Sequence, residues 1–259
     1  MNILHALLLG IVEGLTEFLP VSSTFHLLIV TKLIGIAQSD FSKFFDVFIQ
    51  SGAILAIVVL FAKEWFSQIE MLKKVAISFI PTAIIGFLLH KVIKGVFFES
   101  FGPMIIVFTL IGVVFLVLEA WLKKNPEKLA KTVDSISWKE AVVIGLAQAV
   151  AVFPGVSRAG AVMIAMLLMG YRRDEAAKYS FTLAVPTLLA ASALDLIKMK
   201  GSLSSFGPNV TVLAVGTVTA FVTALVVVRW FIQFLRKRNF EVFGWYRIIA
   251  GPILFLIVK

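Results

Sequence analysis

A cluster of polar and ionisable residues interrupts the apolar start of the chain. The stretch EGLTEFLPVSST begins at Glu13 and is followed closely by His26. Glu13 and Glu17 are four positions apart, so on a helix they share one face, with about 6 Å between their Cβ atoms. Two carboxylates this close in a medium of low polarity do not both stay charged without a proton or a cation between them. The pair therefore predicts either a general base or oxygen ligands for Mg²⁺ or Ca²⁺.

Hydroxyl groups follow these carboxylates closely. Pro20 ends the first helix, and Ser22 or Ser23 can cap the next one, whose free backbone N–H groups form a site for anions. Thr24 adds another hydroxyl, and His26 follows two positions later. Capping alone explains one serine but not the whole group. A hydroxyl, an imidazole and carboxylates together indicate nucleophilic or acid–base catalysis.

A second polar break, FPGVSRAG, contains Ser157 and Arg158 at another predicted helix start. The guanidinium is always charged, and its planar shape suits phosphate oxygens. An arginine at membrane depth needs an anion, which Glu13 or Glu17 could supply as a purely structural ion pair. We favour a phosphate ligand, because two helix starts, an arginine and a possible cation converge. The two breaks thus predict a membrane-embedded pocket for a phosphorylated substrate.

The composition shows which elements must position these groups. The chain of 259 residues is 60% hydrophobic with a mean hydropathy of +1.00, well above soluble domains, which indicates a membrane protein. The net charge of +9 comes from clusters between apolar runs, so it indicates topology and anionic lipid contact rather than nucleic acid. The absence of cysteine excludes disulfides, Cys-ligated zinc and thiol catalysis.

Long apolar runs predict the membrane spans. Two further apolar regions, 2–36 and 140–170, are broken by the polar stretches, and their halves are too short to cross a bilayer. Such breaks are tolerated at membrane depth when protein or a wet cavity covers them, which predicts re-entrant hairpins. The predicted fold is an all-α integral membrane domain, 1–259, with two re-entrant helical hairpins and six transmembrane helices at 46–62, 75–90, 104–122, 179–197, 210–229 and 242–258.

The two broken regions resemble each other at an offset of 135 residues, which indicates repeat halves at about 1–122 and 140–259. Lysine and arginine are concentrated in the loops on one side of this layout, which makes that side cytoplasmic and places both termini outside. The hairpins then enter from opposite sides, as in an inverted-topology repeat whose tips meet near the midplane. The aligned pairs are Gly10 with Gly145, Phe18 with Phe153, Val21 with Val156, Ser22 with Ser157, Ile29 with Ile164, Leu33 with Leu168 and Gly35 with Gly170.

These motifs resemble a known family. EGLTEFLPVSST, PGVSR, FDVFIQSGAILA, LAVPTLLAASALDL and WYRIIAG are similar to the bacitracin-resistance type of undecaprenyl-diphosphate phosphatase, over nearly the whole chain. The resemblance implies a phosphoric anhydride hydrolase of the bacterial plasma (inner) membrane that converts undecaprenyl diphosphate to undecaprenyl phosphate. That product is the lipid carrier for peptidoglycan synthesis, so cell-wall biogenesis, cell shape and antibiotic resistance are implied as well. The family fold agrees with the layout above.

The resemblance also implies roles for individual residues. Ser23 is expected to be the nucleophile, activated by Glu17, while Arg158 binds the phosphate. Glu13 is expected to bind a divalent cation, Mg²⁺ or Ca²⁺, together with Glu17, or to hold Glu17. His26 would protonate the leaving phosphate or act as the nucleophile itself, and direct attack by water stays open. The remaining motif positions, expected to bind substrate, are Ser22, Thr24, Gly155 and Ser157, with Pro154 beside them.

Three positions depart from the family pattern. Phe25 stands where the family usually has glycine, and Ala159 and Val162 replace a serine and a threonine of the second motif. Each lost hydrogen bond to a charged group is worth about 1.5–3 kcal/mol. These departures therefore predict slower catalysis or an altered substrate preference rather than a complete loss.

Two other classes of membrane protein share parts of this pattern. A transporter or flippase of the polyprenyl phosphate carrier would also use inverted repeats and broken helices, but it needs no nucleophile. A type-two phosphatidate phosphatase needs a histidine downstream of its Ser-Arg motif, and every histidine here precedes Arg158. Besides the polyprenyl diphosphate and membrane lipids, the sequence predicts no partner. It leaves the oligomeric state open, a homodimer included.

Overall fold

The computed structural model describes residues 1–37, 39–97, 101–198 and 209–258. These residues form α-helices and three short 3₁₀ helices (Pro126–Lys128, Val133–Ser135 and Val150–Val152), and the only β-structure among them is one isolated bridge between Lys131 and Tyr171. The all-α class predicted from the sequence is confirmed. The helices are α1 (Ile3–Thr16), α2 (Ser23–Leu33), α3 (Asp40–Ser67), α4 (Ile69–Phe97), α5 (Phe101–Lys123), α6 (Trp138–Ala149), α7 (Arg158–Leu168), α8 (Arg173–Lys198), α9 (Val210–Lys237) and α10 (Glu241–Val258).

Four helices of the described chain are long and apolar enough to cross a membrane: α3, α4 over Ile69–Leu89, α5 and α9. They coincide with four of the predicted spans, and the chain is a multi-pass membrane protein. The other two predicted spans lie in α8 and α10. The total of six spans stays a prediction.

Both broken regions form a helix, a break and a second helix. The helices on either side have 14 and 11 residues in the first region and 12 and 11 in the second. At 1.5 Å per residue they are about 17–21 Å long, shorter than the roughly 30 Å of a hydrocarbon core. Neither half of a broken region can therefore cross the bilayer as a single helix.

The two breaks end in the same backbone conformation. Helices α2 and α7 begin and end at positions that differ by 135 residues. Ser22 and Ser157, separated by the same offset, have φ of 68° and 76° and are the only non-glycine residues of the described chain with positive φ. This region is unfavourable for a residue with a side chain. The same unusual conformation therefore recurs at two positions that the sequence alignment pairs.

Each hairpin packs mainly on a helix of the other half. Helix α1 lies along α9, α6 lies along α4, and α5 pairs with α10. Glycines allow the backbones to touch, as is common between membrane helices. A Cβ atom on Gly10 would lie 2.6 Å from the carbonyl oxygen of Gly216, and one on Gly145 would overlap the backbone of Ser78. The hairpins are thus held in place by contacts between halves.

Ion pairs join several helices at one end of the bundle. Glu119, fully buried at the end of α5, accepts hydrogen bonds from Arg173 at the start of α8 and, at 3.0 Å, from the backbone N–H of Phe240. Lys123 lies 2.6 Å from Glu241 at the start of α10. These residues belong to the end that the charge distribution predicts to be cytoplasmic.

The second hairpin begins with a capping box. The Ser137 hydroxyl accepts a hydrogen bond from the Glu140 N–H at 3.2 Å, and the Glu140 carboxylate accepts one from the Ser137 N–H at 2.8 Å. Lys131 donates to the same carboxylate at 2.8 Å. Partial burial favours the neutral form of this carboxyl, but the hydrogen bonds from Lys131 and Ser137 outweigh it and lower the pKa of Glu140 to about 2. The start of α6 is therefore held by a charged group at neutral pH.

Candidate active site

Glu17, directly after α1, connects the two breaks. Its carboxylate accepts a short hydrogen bond from the Ser23 hydroxyl at the start of α2. Its other oxygen lies 3.2 Å from Nη2 of Arg158, at the start of α7. Glu17 and Ser23 are each only 7% exposed. Three of the four predicted catalytic residues are therefore in direct contact, and they come from both hairpins.

Arg158 is only partly satisfied by protein groups. Nη1 donates to the backbone carbonyl of Ser180 on α8 at 2.9 Å, and Nη2 contacts Glu17. The Nε atom is buried and has no hydrogen-bond partner in the described part of the chain. The structural ion pair that the sequence allowed is present, but it uses one edge of the guanidinium. A buried N–H group remains that could bind an oxygen anion.

Glu13 is fully buried, and no donor from the described residues reaches either of its carboxylate oxygens. Its neighbour is the carboxyl group of Glu17, which can bond it only through a shared proton. A buried carboxylate without a donor fits either a proton or a cation. Within the described residues no group of three or more acidic or histidine side chains could hold a metal ion. Mg²⁺ is often bound by one or two carboxylates together with phosphate oxygens, which suits this pair.

The two serines at the helix starts behave differently. The Ser157 hydroxyl accepts a hydrogen bond from the Gly160 N–H at 3.2 Å and so caps α7. The side chain of Ser22, which precedes α2, makes no capping hydrogen bond. The sequence predicts that Ser22 or Ser23 caps α2. The structure differs because Ser23 is the first helical residue and its hydroxyl bonds Glu17.

Arg247 of α10 holds both breaks together, and the sequence analysis did not single it out. Its side chain is fully buried, and every nitrogen of its guanidinium donates to backbone carbonyl oxygens. The four acceptors are Pro20 (2.8 Å), Phe108 (3.2 Å), Gly155 (2.9 Å) and Val156 (3.1 Å). The signal in the sequence is the single arginine inside the apolar run 242–258. A charged side chain in such a run needs a partner, as Arg158 does.

His26 lies on the side of the site that faces α10. Its Nδ1 is 2.8 Å from the carbonyl oxygen of Ser22, and its Nε2 is 2.6 Å from the hydroxyl of Tyr246. The structure shows no hydrogen bond from His26 to Glu17 or Ser23 among the residues described. The imidazole is thus beside the carboxylate–hydroxyl pair rather than part of it. The sequence did not indicate a role for Tyr246, as it did not for Arg247. The partner of Tyr246 lies 220 positions away in the chain.

Two predicted substrate-binding residues have contrasting surroundings. Gly155 has φ of +99°, and a Cβ atom there would lie 2.5 Å from the carbonyl oxygen of Met104, so only glycine fits. Thr24 is half-buried on α2. Within the described residues its hydroxyl makes no hydrogen bond to the other site residues. Its predicted contact with substrate stays a prediction.

The three departures from the family pattern are buried. Phe25 stacks on Phe108, with 4.5 Å between ring centroids. Ala159 and Val162 are fully buried in the main apolar cluster of the bundle. A hydroxyl at either position would be surrounded largely by apolar side chains. The expected effect of these replacements on catalysis stays a prediction.

The fold and this site define an integral membrane protein whose chemistry-bearing groups come from two broken hairpins. The family model described as "Bacitracin resistance protein BacA" matches residues 6–253, and the chain belongs to this family. It is 48% identical over 258 residues to the undecaprenyl-diphosphatase of Wolinella succinogenes, covering 99% of this chain and 98% of the relative. The undecaprenyl-diphosphatase of Persephonella marina is 46% identical over 260 residues, the full length of both. That of Aquifex aeolicus is 43% identical over 251 residues, 96% of each chain.

Proposed function

We propose that this protein hydrolyses undecaprenyl diphosphate to undecaprenyl phosphate and phosphate in the bacterial inner membrane. Full-length relatives that bear the name undecaprenyl-diphosphatase support this substrate. The observation that carries the chemistry is the contact of the Ser23 hydroxyl with Glu17, which is itself paired with Arg158. The reaction returns the lipid carrier to cell-wall synthesis.

In the first step the Ser23 oxygen attacks the terminal phosphorus, and Glu17 accepts the hydroxyl proton. The bond between that phosphorus and the bridging oxygen breaks, and undecaprenyl phosphate leaves with the electron pair. His26, in its protonated form, gives the leaving oxygen a proton. Water then cleaves the phosphoserine, which releases phosphate and restores the hydroxyl. In the alternative, water attacks phosphorus directly and Ser23 only orients it.

Arg158 couples substrate binding to the activation of Ser23. A phosphate oxygen that binds the guanidinium competes with Glu17 for the same positive charge. Once that pairing weakens, the Glu17 carboxylate becomes a stronger base for the Ser23 proton. The Nε of Arg158, which has no partner in the described part of the chain, and the hydroxyl of Ser22, which makes no capping bond there, supply further donors to the phosphate.

Glu13 and Glu17 would hold a divalent cation, Mg²⁺ or Ca²⁺, whose charge would offset that of the diphosphate. The buried Glu13 carboxylate, which no donor reaches within the described chain, supports this assignment. It also explains why a membrane chain keeps a second acid one helical turn before Glu17.

The same proposal includes the topology, with six spans and two re-entrant hairpins in an inverted repeat. The equal offset of helices α2 and α7, the shared positive φ at Ser22 and Ser157, and the packing of each hairpin on the opposite half support it. In this arrangement the two tips meet near the bilayer midplane.

A transporter or flippase of the polyprenyl phosphate carrier is the second candidate, because broken helices in an inverted repeat are common in transporters. The contact between a hydroxyl and a carboxylate favours the enzyme, since transport alone requires no nucleophile. The names of the relatives favour it as well.

Phosphate release by detergent-purified protein tests the proposal. Undecaprenyl diphosphate is supplied with Mg²⁺, with Ca²⁺ or with a chelator, and Glu17→Gln and Arg158→Ala are compared with Glu140→Gln, a matched control outside the site. We expect cation-dependent release that both site variants lose and the control keeps. Folded wild-type protein that releases no phosphate would overturn the phosphatase proposal and favour carrier transport.

A further inference from the structure

The surroundings of His26 fix the position of its proton. Nδ1 lies 2.8 Å from the carbonyl oxygen of Ser22. A carbonyl oxygen only accepts hydrogen bonds, so Nδ1 must carry a hydrogen for this contact to be favourable. Nε2 is therefore the nitrogen that gains or loses a proton when the imidazole takes part in acid–base chemistry.

Tyr246 contacts this same nitrogen. Its hydroxyl oxygen is 2.6 Å from Nε2 of His26 and can donate a hydrogen bond to the neutral imidazole. The two rings are stacked, with centroids 5.8 Å apart and an interplanar angle of 14°. Phe25 and Phe108 approach the imidazole edge-on at 5.8 and 5.9 Å. The imidazole is thus restrained by its ring contacts and at both nitrogens.

The position of Tyr246 is itself fixed by its neighbour in the chain. Arg247 donates to backbone carbonyls of both breaks, which ties this turn of α10 to the two helix starts. The phenol is nevertheless 40% exposed. It therefore has room to turn away from Nε2 when another oxygen approaches.

We infer that Tyr246 is a positioning residue for His26, which holds the imidazole in the Nδ1–H form with Nε2 as the nitrogen that exchanges protons. The inference rests on the proposed function, in which protonated His26 gives its Nε2 proton to the leaving phosphate oxygen. The neutral imidazole left behind then accepts a hydrogen bond from the Tyr246 hydroxyl. Tyr246 thus acts through His26 and forms no bond to the reacting phosphorus.

A kinetic double-mutant cycle tests the coupling. Tyr246→Phe keeps the stacked ring and removes only the hydroxyl, and it is made in wild-type protein and in His26→Gln. We expect kcat for phosphate release to fall about tenfold with little change in KM, as for the loss of one hydrogen bond to a reacting imidazole. No further loss is expected in the His26→Gln background.

Tyr179→Phe is the matched control, because it removes a buried hydroxyl that bonds Ser78 at 2.8 Å in the other half of the chain. We expect it to leave kcat unchanged. An unchanged kcat in Tyr246→Phe, or losses that add in the double variant, would overturn the inference.

Imidazole ¹⁵N NMR of the full-length protein provides a readout without turnover. The chain has only three histidines, so His26→Gln assigns the relevant signals. We expect the Nδ1–H form in wild-type protein, and a shift of the Nε2 resonance, with Nδ1 unchanged, in Tyr246→Phe. An unchanged Nε2 resonance would refute the positioning role. A shifted resonance in a protein that releases no phosphate would refute the proposed function alone.

Discussion

The two buried arginines of the site differ in their partners. Arg158 pairs with a carboxylate and a backbone carbonyl and keeps one N–H group without a partner among the described residues, whereas Arg247 donates only to backbone carbonyls. A phosphate can exchange with the Glu17 carboxylate at Arg158, because both are anions. It cannot replace the carbonyls at Arg247 without opening both breaks. In the proposed reaction Arg158 would therefore respond to substrate, while Arg247 maintains the backbone that presents it.

Replacement of Ser23 separates covalent catalysis from direct attack by water. We expect Ser23→Ala to reduce kcat for phosphate release at least about a hundredfold, because no oxygen remains to attack phosphorus. Ser22→Ala, one position earlier, should reduce it much less. Rapid quenching with a ³²P-labelled terminal phosphate should trap a phosphoenzyme in wild-type protein only. Full turnover by Ser23→Ala would establish direct attack by water.

Glu13→Gln tests whether the negative charge of Glu13 contributes to cation binding. The amide keeps the shape of the side chain but removes the negative charge, so the Mg²⁺ concentration needed for half-maximal activity should rise at least about tenfold. Without cations the thermal stability should stay equal or increase, because a buried carboxylate without a donor is unfavourable. Cation titration and thermal unfolding in detergent provide the two readouts. An unchanged cation requirement would place the cation elsewhere.

At the scale of secondary structure, α10 serves as a clamp on the two hairpins. Its Arg247 guanidinium is the shared donor for one carbonyl before α2 and two before α7. The helix pairs along its length with α5, whose Phe108 carbonyl completes the set. The relative position of the two breaks therefore depends on a helix that belongs to neither hairpin.

Removal of this clamp should be costly. Arg247→Met leaves four buried carbonyls without their donor, and we expect a loss of about 3–5 kcal/mol in unfolding free energy, together with the loss of activity. Arg247→Lys should recover part of the stability, since one ammonium cannot reach all four acceptors. Arg229→Met, at an exposed arginine of α9, is the control. Stability of Arg247→Met equal to that of the control would contradict the assigned role.

Close approach of α1 to α9 predicts a second effect at this scale. Gly10→Ala introduces a Cβ atom 2.6 Å from the Gly216 carbonyl oxygen, so we expect a destabilisation of about 1–3 kcal/mol as the hairpin shifts. Gly86→Ala is the matched control, because a Cβ there would meet only Val152 at 3.9 Å. It should be neutral or slightly stabilising. Both variants are measured by thermal unfolding and by phosphate release. Equal stability and equal activity of the two variants would refute the close contact between α1 and α9.

For the whole molecule, local signals predicted the helical class, the two breaks and a site formed by carboxylates, hydroxyls and Arg158, whereas the choice of Glu17 and Ser23 came from the resemblance to the family. The helical class and the breaks depend on polar residues at short spacing in an apolar chain, which one sequence displays. The contacts of Arg247 and Tyr246 could not be predicted in this way, since their partners at Pro20 and His26 lie more than 200 positions away. Such pairings are set by the packing of the complete bundle, which leaves no periodic trace in the sequence.

The proposed repeat is not symmetric in its chemistry. The position that corresponds to Glu13 in the second half is Gln148, whose amide donates to Thr82 at 2.9 Å and to Thr187 at 3.0 Å. The amide oxygen of Gln148, like the carboxylate oxygens of Glu13, has no hydrogen-bond partner among the described residues, so the two positions differ in their charge. The first hairpin therefore supplies the acids and the hydroxyl, and the second supplies the guanidinium.

Cysteine labelling tests the topology of the whole molecule, because the natural chain contains no cysteine. Lys43→Cys, at the start of α3, should react with a membrane-impermeant maleimide in intact cells. Lys124→Cys and Lys237→Cys should react only after the membrane is permeabilised. All three side chains are exposed, so differences in labelling do not arise from burial within the protein. The reverse labelling pattern would invert the proposed orientation.

The packing of α1 along α9 has a consequence for biosynthesis. The ribosome makes the first hairpin early, but the surface that receives it emerges roughly 200 residues later, and Arg247 later still. During insertion the hairpin with its buried acids therefore has no final partner, and it must wait at the translocon or the lipid interface until the chain is nearly complete. Truncation near the C-terminus would thus expose the earliest segment of the protein, rather than the latest, to quality-control proteases.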